Sequence, residues 1–346
     1  MIKLMLPLLL TLSIISTCRA DNLKDNPFGV LTFLPWNHSW NNYMYKNNQA
    51  LDRAIDLLKE LGISIIRVDF SWNYIEKEKD KFDFQRYDYI VNKCAKNNIE
   101  ILAILGYSAP WTGAKWNNPP NDEKAFLNYV KTTVKHYKNL IRYWEFWNEP
   151  DSNIYWYPQD DMKTYTLLLK KVYSLIKSTN PDNIVLLGGL TGDGFYAFKN
   201  ILSNGGGDYF DIVNFHPFFD PFRKDGLDEI RFKLKHIHNE LKKYSLNKKI
   251  WLTEIGCPGS RSSDNCSWWL GRCPDEDQQA EFLKKSYEFL LSQEGVEKIF
   301  WAFFQDTDNH FKNGVDDFGL VRKDFSKKPA YCKYKKIIGN AILNPQ

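Results

Sequence analysis

The chain predicts a single α/β domain built as a (β/α)8 (TIM) barrel, on three observations. Eight short apolar runs recur between residues 28 and 304, with helical segments or turn residues between them. These runs lack strict polar alternation, as expected of strands covered on both faces of a parallel sheet. No Gly-rich turn follows either of the first two runs, where a doubly wound open sheet would carry one.

Taken in order, the strand-like runs are Phe28 to Phe33, Ser64 to Phe70, Glu100 to Leu105 and Arg142 to Trp147 in the first half. Ile184 to Leu187, Phe210 to Phe215, Lys249 to Thr253 and Lys298 to Phe304 complete the set. Helical spacing joins Leu51, Ala54, Ile55, Leu58 and Leu61 after the first run. Behind Asp160 and Asp161, plausible caps, it joins Tyr165, Leu168, Leu169, Val172, Leu175 and Ile176. Leu227, Ile230, Leu234, Ile237 and Leu241 repeat the pattern, and Pro329 opens a last helix reaching about Ala341. Gly62, Asn98, Asn180-Pro181 and Gly205-Gly206-Gly207 mark the joins. Gly188-Gly189 after the fifth run reads as relief of local crowding. The extra length falls after the first, third, fourth and seventh runs, on the face where such barrels carry their sites.

Ahead of the barrel, Lys3, the apolar stretch Leu4 to Ile15 and Cys18-Arg19-Ala20 have the order of a secretory signal peptide. Its apolar run is too short to span a bilayer. Residues 1–20 are therefore expected to be removed, leaving 21–346 as the catalytic domain of a secreted protein, extracellular or periplasmic. An uncleaved anchor is the competing reading, and Ile15-Ser16-Thr17-Cys18 is an imperfect lipobox.

The net charge of +4 gives no footprint for nucleic acid, and no membrane contact is expected after cleavage. Five of the six cysteines follow residue 20, and Cys257, Cys266 and Cys273 crowd one segment. An exported protein could hold one disulfide among those three, with the pairing open. With no CxxC pair or nearby histidine, zinc is not expected there. Asn37-His38-Ser39 and Asn265-Cys266-Ser267 fit the glycosylation sequon. Aromatics form 16% of the chain, with 12 Trp, enough for both a large core and a stacking cleft.

The chemistry rests on two carboxylates. Glu149 closes the fourth run in Trp147-Asn148-Glu149-Pro150, and Glu254 closes the seventh in Thr253-Glu254-Ile255-Gly256. A carboxylate at the carboxyl end of a buried strand is poorly placed for stability and well placed for catalysis. Ends four and seven lie across the mouth of an eight-stranded barrel, where two carboxyl groups could flank a glycosidic bond.

On these two motifs the chain resembles glycoside hydrolase clan A, and within it families 5 and 39, over nearly the whole of 21–346. The resemblance implies a retaining β-glycosidase with Glu149 as acid/base and Glu254 as nucleophile. It makes Asn148 a partner of the sugar 2-hydroxyl and Arg67, in Ile65-Ile66-Arg67-Val68-Asp69, a brace for the nucleophile. Pairing of Arg67 with Asp69 is the plainer alternative. Trp301 is expected as the floor of the sugar site and His216 at the sixth strand end. Phe218 stands where the family often has a tyrosine touching the nucleophile, and Tyr107 is a candidate substitute. Trp111, in Tyr107-Ser108-Ala109-Pro110-Trp111, and Trp36 are expected in the cleft, with Trp72, Trp116, Trp156, Trp268 and Trp269 as further strand-end or loop aromatics.

The expected partner is a carbohydrate, a polysaccharide or oligosaccharide cut internally by a monomer that needs no cofactor and no metal. An exo-acting β-xylosidase-like enzyme and a glycan-binding barrel without activity are the alternatives. A metal-dependent hydrolase lacks support, since the 6 His form no HxH or HExxH cluster.

Overall fold

The computed structural model describes residues 26–37, 43–260, 273–307 and 315–343. Eight strands close one parallel barrel in chain order. They are β1 Phe28–Thr32, β2 Ile65–Ser71, β3 Glu100–Gly106, β4 Tyr143–Asn148, β5 Ile184–Gly189, β6 Ile212–Asn214, β7 Lys249–Ile255 and β8 Val296–Trp301. Closure pairs Phe28 with Ile299 and Val30 with Trp301. Strand β6 is shorter than its apolar run, and β8 begins earlier and ends at Trp301, so Ala302 to Phe304 belong to the mouth.

Each strand is followed by a helix: α1 Asn48–Leu61, α2 Gln85–Lys96, α3 Glu123–His136, α4 Lys163–Thr179, α5 Phe195–Ser203, α6 Gly226–Lys243, α7 Glu276–Leu290 and α8 Pro329–Leu343. Local chemistry sets their ends. The Asn47 side chain accepts the Ala50 N–H at the start of α1, and Gly62, at φ 89°, closes it in the left-handed conformation. Asp275 and Gln278 form a reciprocal capping box on α7. At α4 the cap position is Met162, but Asp160 still accepts the Thr164 N–H at 2.9 Å. Among the described residues no helix is long and apolar enough to cross a membrane.

The main core lies between barrel and helices, where Leu51, Ala54, Ile55 and Leu58 of α1 are fully buried. A second cluster, Ile65, Leu102, Leu186, Ile212, Trp251 and Phe300, fills the barrel itself. Side chains alternate faces along a strand. Two residues beyond this plug, the inward positions therefore fall to Arg67 on β2, Asn214 on β6 and Thr253 on β7. One more step brings Asp69 and His216 inward at the mouth. The apolar plug thus sets the depth at which the polar layer begins.

The leader at 1–20, Cys266, Trp268, Trp269, the second sequon and most of the first lie outside the described residues.

Candidate active site

Arg67 is 1% exposed and organises the polar layer. Its Nε and Nη2 donate to the two oxygens of Glu145, each at 2.7 Å. Nη2 also donates to Asn148 Oδ1 at 2.7 Å, and Nη1 to Glu254 Oε1 at 2.6 Å. A buried guanidinium needs such charged partners to offset its desolvation. Glu145 is fully buried and also accepts the Gly189 N–H at 3.0 Å. Asp69, the simpler partner for Arg67 in sequence, makes no hydrogen bond to it among the described residues. Burial pushes its carboxyl up to about 7.

Two departures from regular strand geometry bring Glu149 and Glu254 together. Glu145 and Asn148 both reach Arg67 although an odd number of positions separates them. The phase changes at Trp147, whose φ of 69° lies in the left-handed region, and Glu149 follows at 42°. On β7, Thr253 and Glu254 are adjacent, yet both face the barrel interior. The β7–β8 register shifts between Leu252 and Ile255, a bulge that turns consecutive side chains the same way.

His216 links the two carboxylates. Its Nδ1 lies 2.9 Å from Glu149 Oε1 and 3.8 Å from Glu254 Oε1, while Nε2 lies 3.0 Å from Thr253 Oγ1. The ring has room because β5 offers glycine beside it. A β-carbon on Gly189 would stand 1.9 Å from Nε2, and one on Gly188 would stand 2.6 Å from the Phe146 carbonyl. Burial pushes His216 down to about 4 and therefore favours the neutral ring. Burial, with the Asp151 charge adding, pushes Glu149 up to about 8. Both carboxyl side chains remain partly open, at 16% for Glu149 and 12% for Glu254.

One ligand atom each from Glu149, His216 and Glu254 lies within 4.8 Å of the others, close enough to converge on a metal ion. The donor set suits a cation poorly. Arg67 already holds a fixed positive charge 2.6 Å from Glu254, and His216 Nδ1 is engaged by Glu149.

The expected aromatics divide into two groups. Trp36 is half-buried with its ring 4.6 Å from Phe33. Trp111 is half-buried, donating its indole N–H to the Glu76 carbonyl at 2.8 Å. Tyr107 and the more exposed Trp116 meet edge to face at 5.6 Å. Trp72 and Trp156, by contrast, are core residues. Trp301 does not form the floor of the site. It is 0% exposed, donates to the Phe318 carbonyl and packs against Phe282 of α7. Because Phe300 takes the inward position on β8, Trp301 points to the helix layer, while Phe303, two residues on, lies 4.9 Å from Phe33.

Tyr155, in the loop after β4, was not singled out by sequence. Burial raises its hydroxyl, and the nearby charges that add most are those of Glu149 and Glu254. For Tyr107 the leading charge is Asp69. Tyr155 therefore feels both carboxylates, whereas Tyr107 feels chiefly Asp69. Glu145, Asn214 and Thr253 also escaped sequence reading, because barrel closure alone defines their partners.

An eight-stranded parallel barrel with Asn148-Glu149 ending β4 and Glu254 ending β7 defines the class as a clan A glycoside hydrolase. A family model, cellulase (glycosyl hydrolase family 5), matches residues 22–306, and the chain belongs to that family. Endo-1,4-β-xylanase B of Thermotoga neapolitana is 22% identical over 311 residues, covering 81% of each protein. A β-galactosidase of Bifidobacterium bifidum is 29% identical over 160 residues, 38% of this chain and 23% of its own. The solved structure of a family 39 glycoside hydrolase from Bacteroides cellulosilyticus superposes with a TM-score of 0.73 at 24% identity, covering 91% of this chain and 64% of that one. The chain spans only 17% and 23% of the length of two curated relatives it matches.

Proposed function

We propose that the protein is a secreted retaining β-glycosidase that cuts within a polysaccharide or oligosaccharide, with Glu149 as acid/base and Glu254 as nucleophile. The observation that carries this reading is the approach of one oxygen of each carboxyl group to within 4.8 Å. Retaining enzymes hold the pair ~5–5.5 Å apart, whereas inverting enzymes leave ~6.5–9.5 Å for a water. The two environments also differ as the chemistry requires. Burial keeps the proton on Glu149 up to about pH 8, whereas Glu254 Oε1 accepts a hydrogen bond from Arg67 Nη1 at 2.6 Å.

In the first step Glu254 attacks the anomeric carbon while Glu149 protonates the leaving oxygen. In the second, Glu149 takes a proton from the water that hydrolyses the glycosyl ester. Activity then holds below about pH 8 and falls above it, as the acid loses its proton. Asn148, its Oδ1 held by Arg67, keeps the amide N–H2 to offer a sugar hydroxyl.

The xylanase relative, similar over most of both lengths, makes β-1,4-xylan the first substrate to test. Exposed Trp116, Ile154 and Tyr157 beyond the mouth favour internal cleavage, since sugar faces stack on such side chains. Export is the reading that the leader-like residues 1–20 support.

The test is digestion of a glycan panel by wild type and Glu254→Gln, with products read by mass spectrometry. Ladders of shortened oligomers from wild type alone are expected. Release of single sugars only would move the assignment to exo action. Binding without cleavage would move it to a non-catalytic barrel.

A further inference from the structure

The hydrogen bonds behind Glu149 form a chain whose proton positions can be worked out. Thr253 Oγ1 lies 2.7 Å from Asn214 Oδ1 and 3.0 Å from His216 Nε2. A hydroxyl has a single hydrogen. Donated to the Asn214 carbonyl oxygen, it leaves Thr253 only lone pairs for His216, so Nε2 carries the ring proton. A neutral imidazole has one N–H, which leaves Nδ1 bare, 2.9 Å from Glu149 Oε1. A bare nitrogen at that distance needs a donor, and Glu149 supplies one when protonated.

We infer that Asn214 and Thr253 are positioning residues that lock His216 in its Nε2–H tautomer, so that Nδ1 accepts a hydrogen bond from protonated Glu149 and holds this residue as an acid. The inference rests on the acid/base role proposed above for Glu149. It also assigns the second half of the reaction. When substrate is bound the single O–H leaves its hydrogen bond to Nδ1 and passes its proton to the leaving oxygen, after which the Glu149 anion faces the Nδ1 lone pair. That repulsion makes it a stronger base. It takes a proton from the attacking water as the hydroxide oxygen bonds to the anomeric carbon, and Glu254 departs as a carboxylate.

The charged and titratable groups around this chain are Arg67 and Asp69 from β2, Glu145 from β4, Asp151 and Tyr155 from the loop after β4, Tyr107 after β3 and Glu254 from β7. Among the described residues none of these side chains hydrogen-bonds Thr253 or Asn214, so the two can be changed without removing a charge. Asn214 Nδ2 is buried without a partner. Reversing that amide is the one rearrangement that rewires the chain. Thr253 would then donate to Nε2, and Nδ1–H would donate to an ionised Glu149.

The experiment is a long-range 1H–15N correlation on protein labelled at histidine nitrogens, at neutral pH, with His216 assigned by its loss in His216→Asn. The inference expects a protonated Nε2 and an unprotonated Nδ1. The opposite pattern overturns it, and this readout does not require the protein to cleave any glycan. On an active enzyme, Thr253→Val should move the basic limb of kcat/KM at least one pH unit lower, with KM changing less than kcat. Thr253→Ser should restore the limb. An unmoved limb in Thr253→Val, with activity merely reduced, would make Thr253 structural only and would equally overturn the inference.

Discussion

Replacing Arg67 with methionine would strip Glu145 of two charge-assisted hydrogen bonds while leaving it fully buried. Breaking a buried ion pair from one side costs roughly 3–5 kcal/mol. Arg67→Met should therefore lower Tm clearly in a thermal melt as well as reduce kcat. An unchanged Tm would mean that Glu145 finds other donors. At this scale the sequence was informative where a residue lies within a motif. Glu149, Glu254, Asn148 and Arg67 could all be named from it. Glu145 could not, since its role depends on a partner 78 positions away. Thr253 and Asn214 were hidden for the same reason, joined across 39 positions by barrel closure.

Strands and helices were more legible than the faces they present. Apolar runs located all eight strands, because a strand buried on both sides cannot carry polar residues in alternation. Which side chain enters the barrel was harder, since a bulge or a left-handed residue changes the phase. On β8 simple alternation decides it: Phe300 takes the inward position, so Trp301, at a strand end as expected, faces helix α7. The Gly188-Gly189 pair shows the reverse case, where crowding expected from sequence has an identifiable source. A Gly189→Ala methyl would overlap His216, so the ring must move away from Glu149 or β5 must shift. The variant should keep its far-ultraviolet circular dichroism yet lose at least tenfold in kcat/KM. Full activity would mean that the position of His216 does not matter.

For the molecule as a whole, barrel closure converts residues from β2, β4, β6 and β7 into one site. The apolar plug of Ile65, Leu102, Leu186, Ile212, Trp251 and Phe300 forms a dry floor below it. Above that floor burial pushes Glu149 and His216 in opposite directions from their ordinary values. The substrate is not written in this layer. It depends on the loops beyond the strand ends, where Trp116, Ile154 and Tyr157 are exposed.

The separation of Glu149 and Glu254 is the central claim, and the configuration of the first-formed product tests it most directly. Proton NMR during early hydrolysis of a β-linked oligosaccharide should show the β-anomer appearing first, with the α-anomer growing later by mutarotation. Initial release of the α-anomer would mean single displacement by water, and would contradict the assignment of Glu254 as the nucleophile.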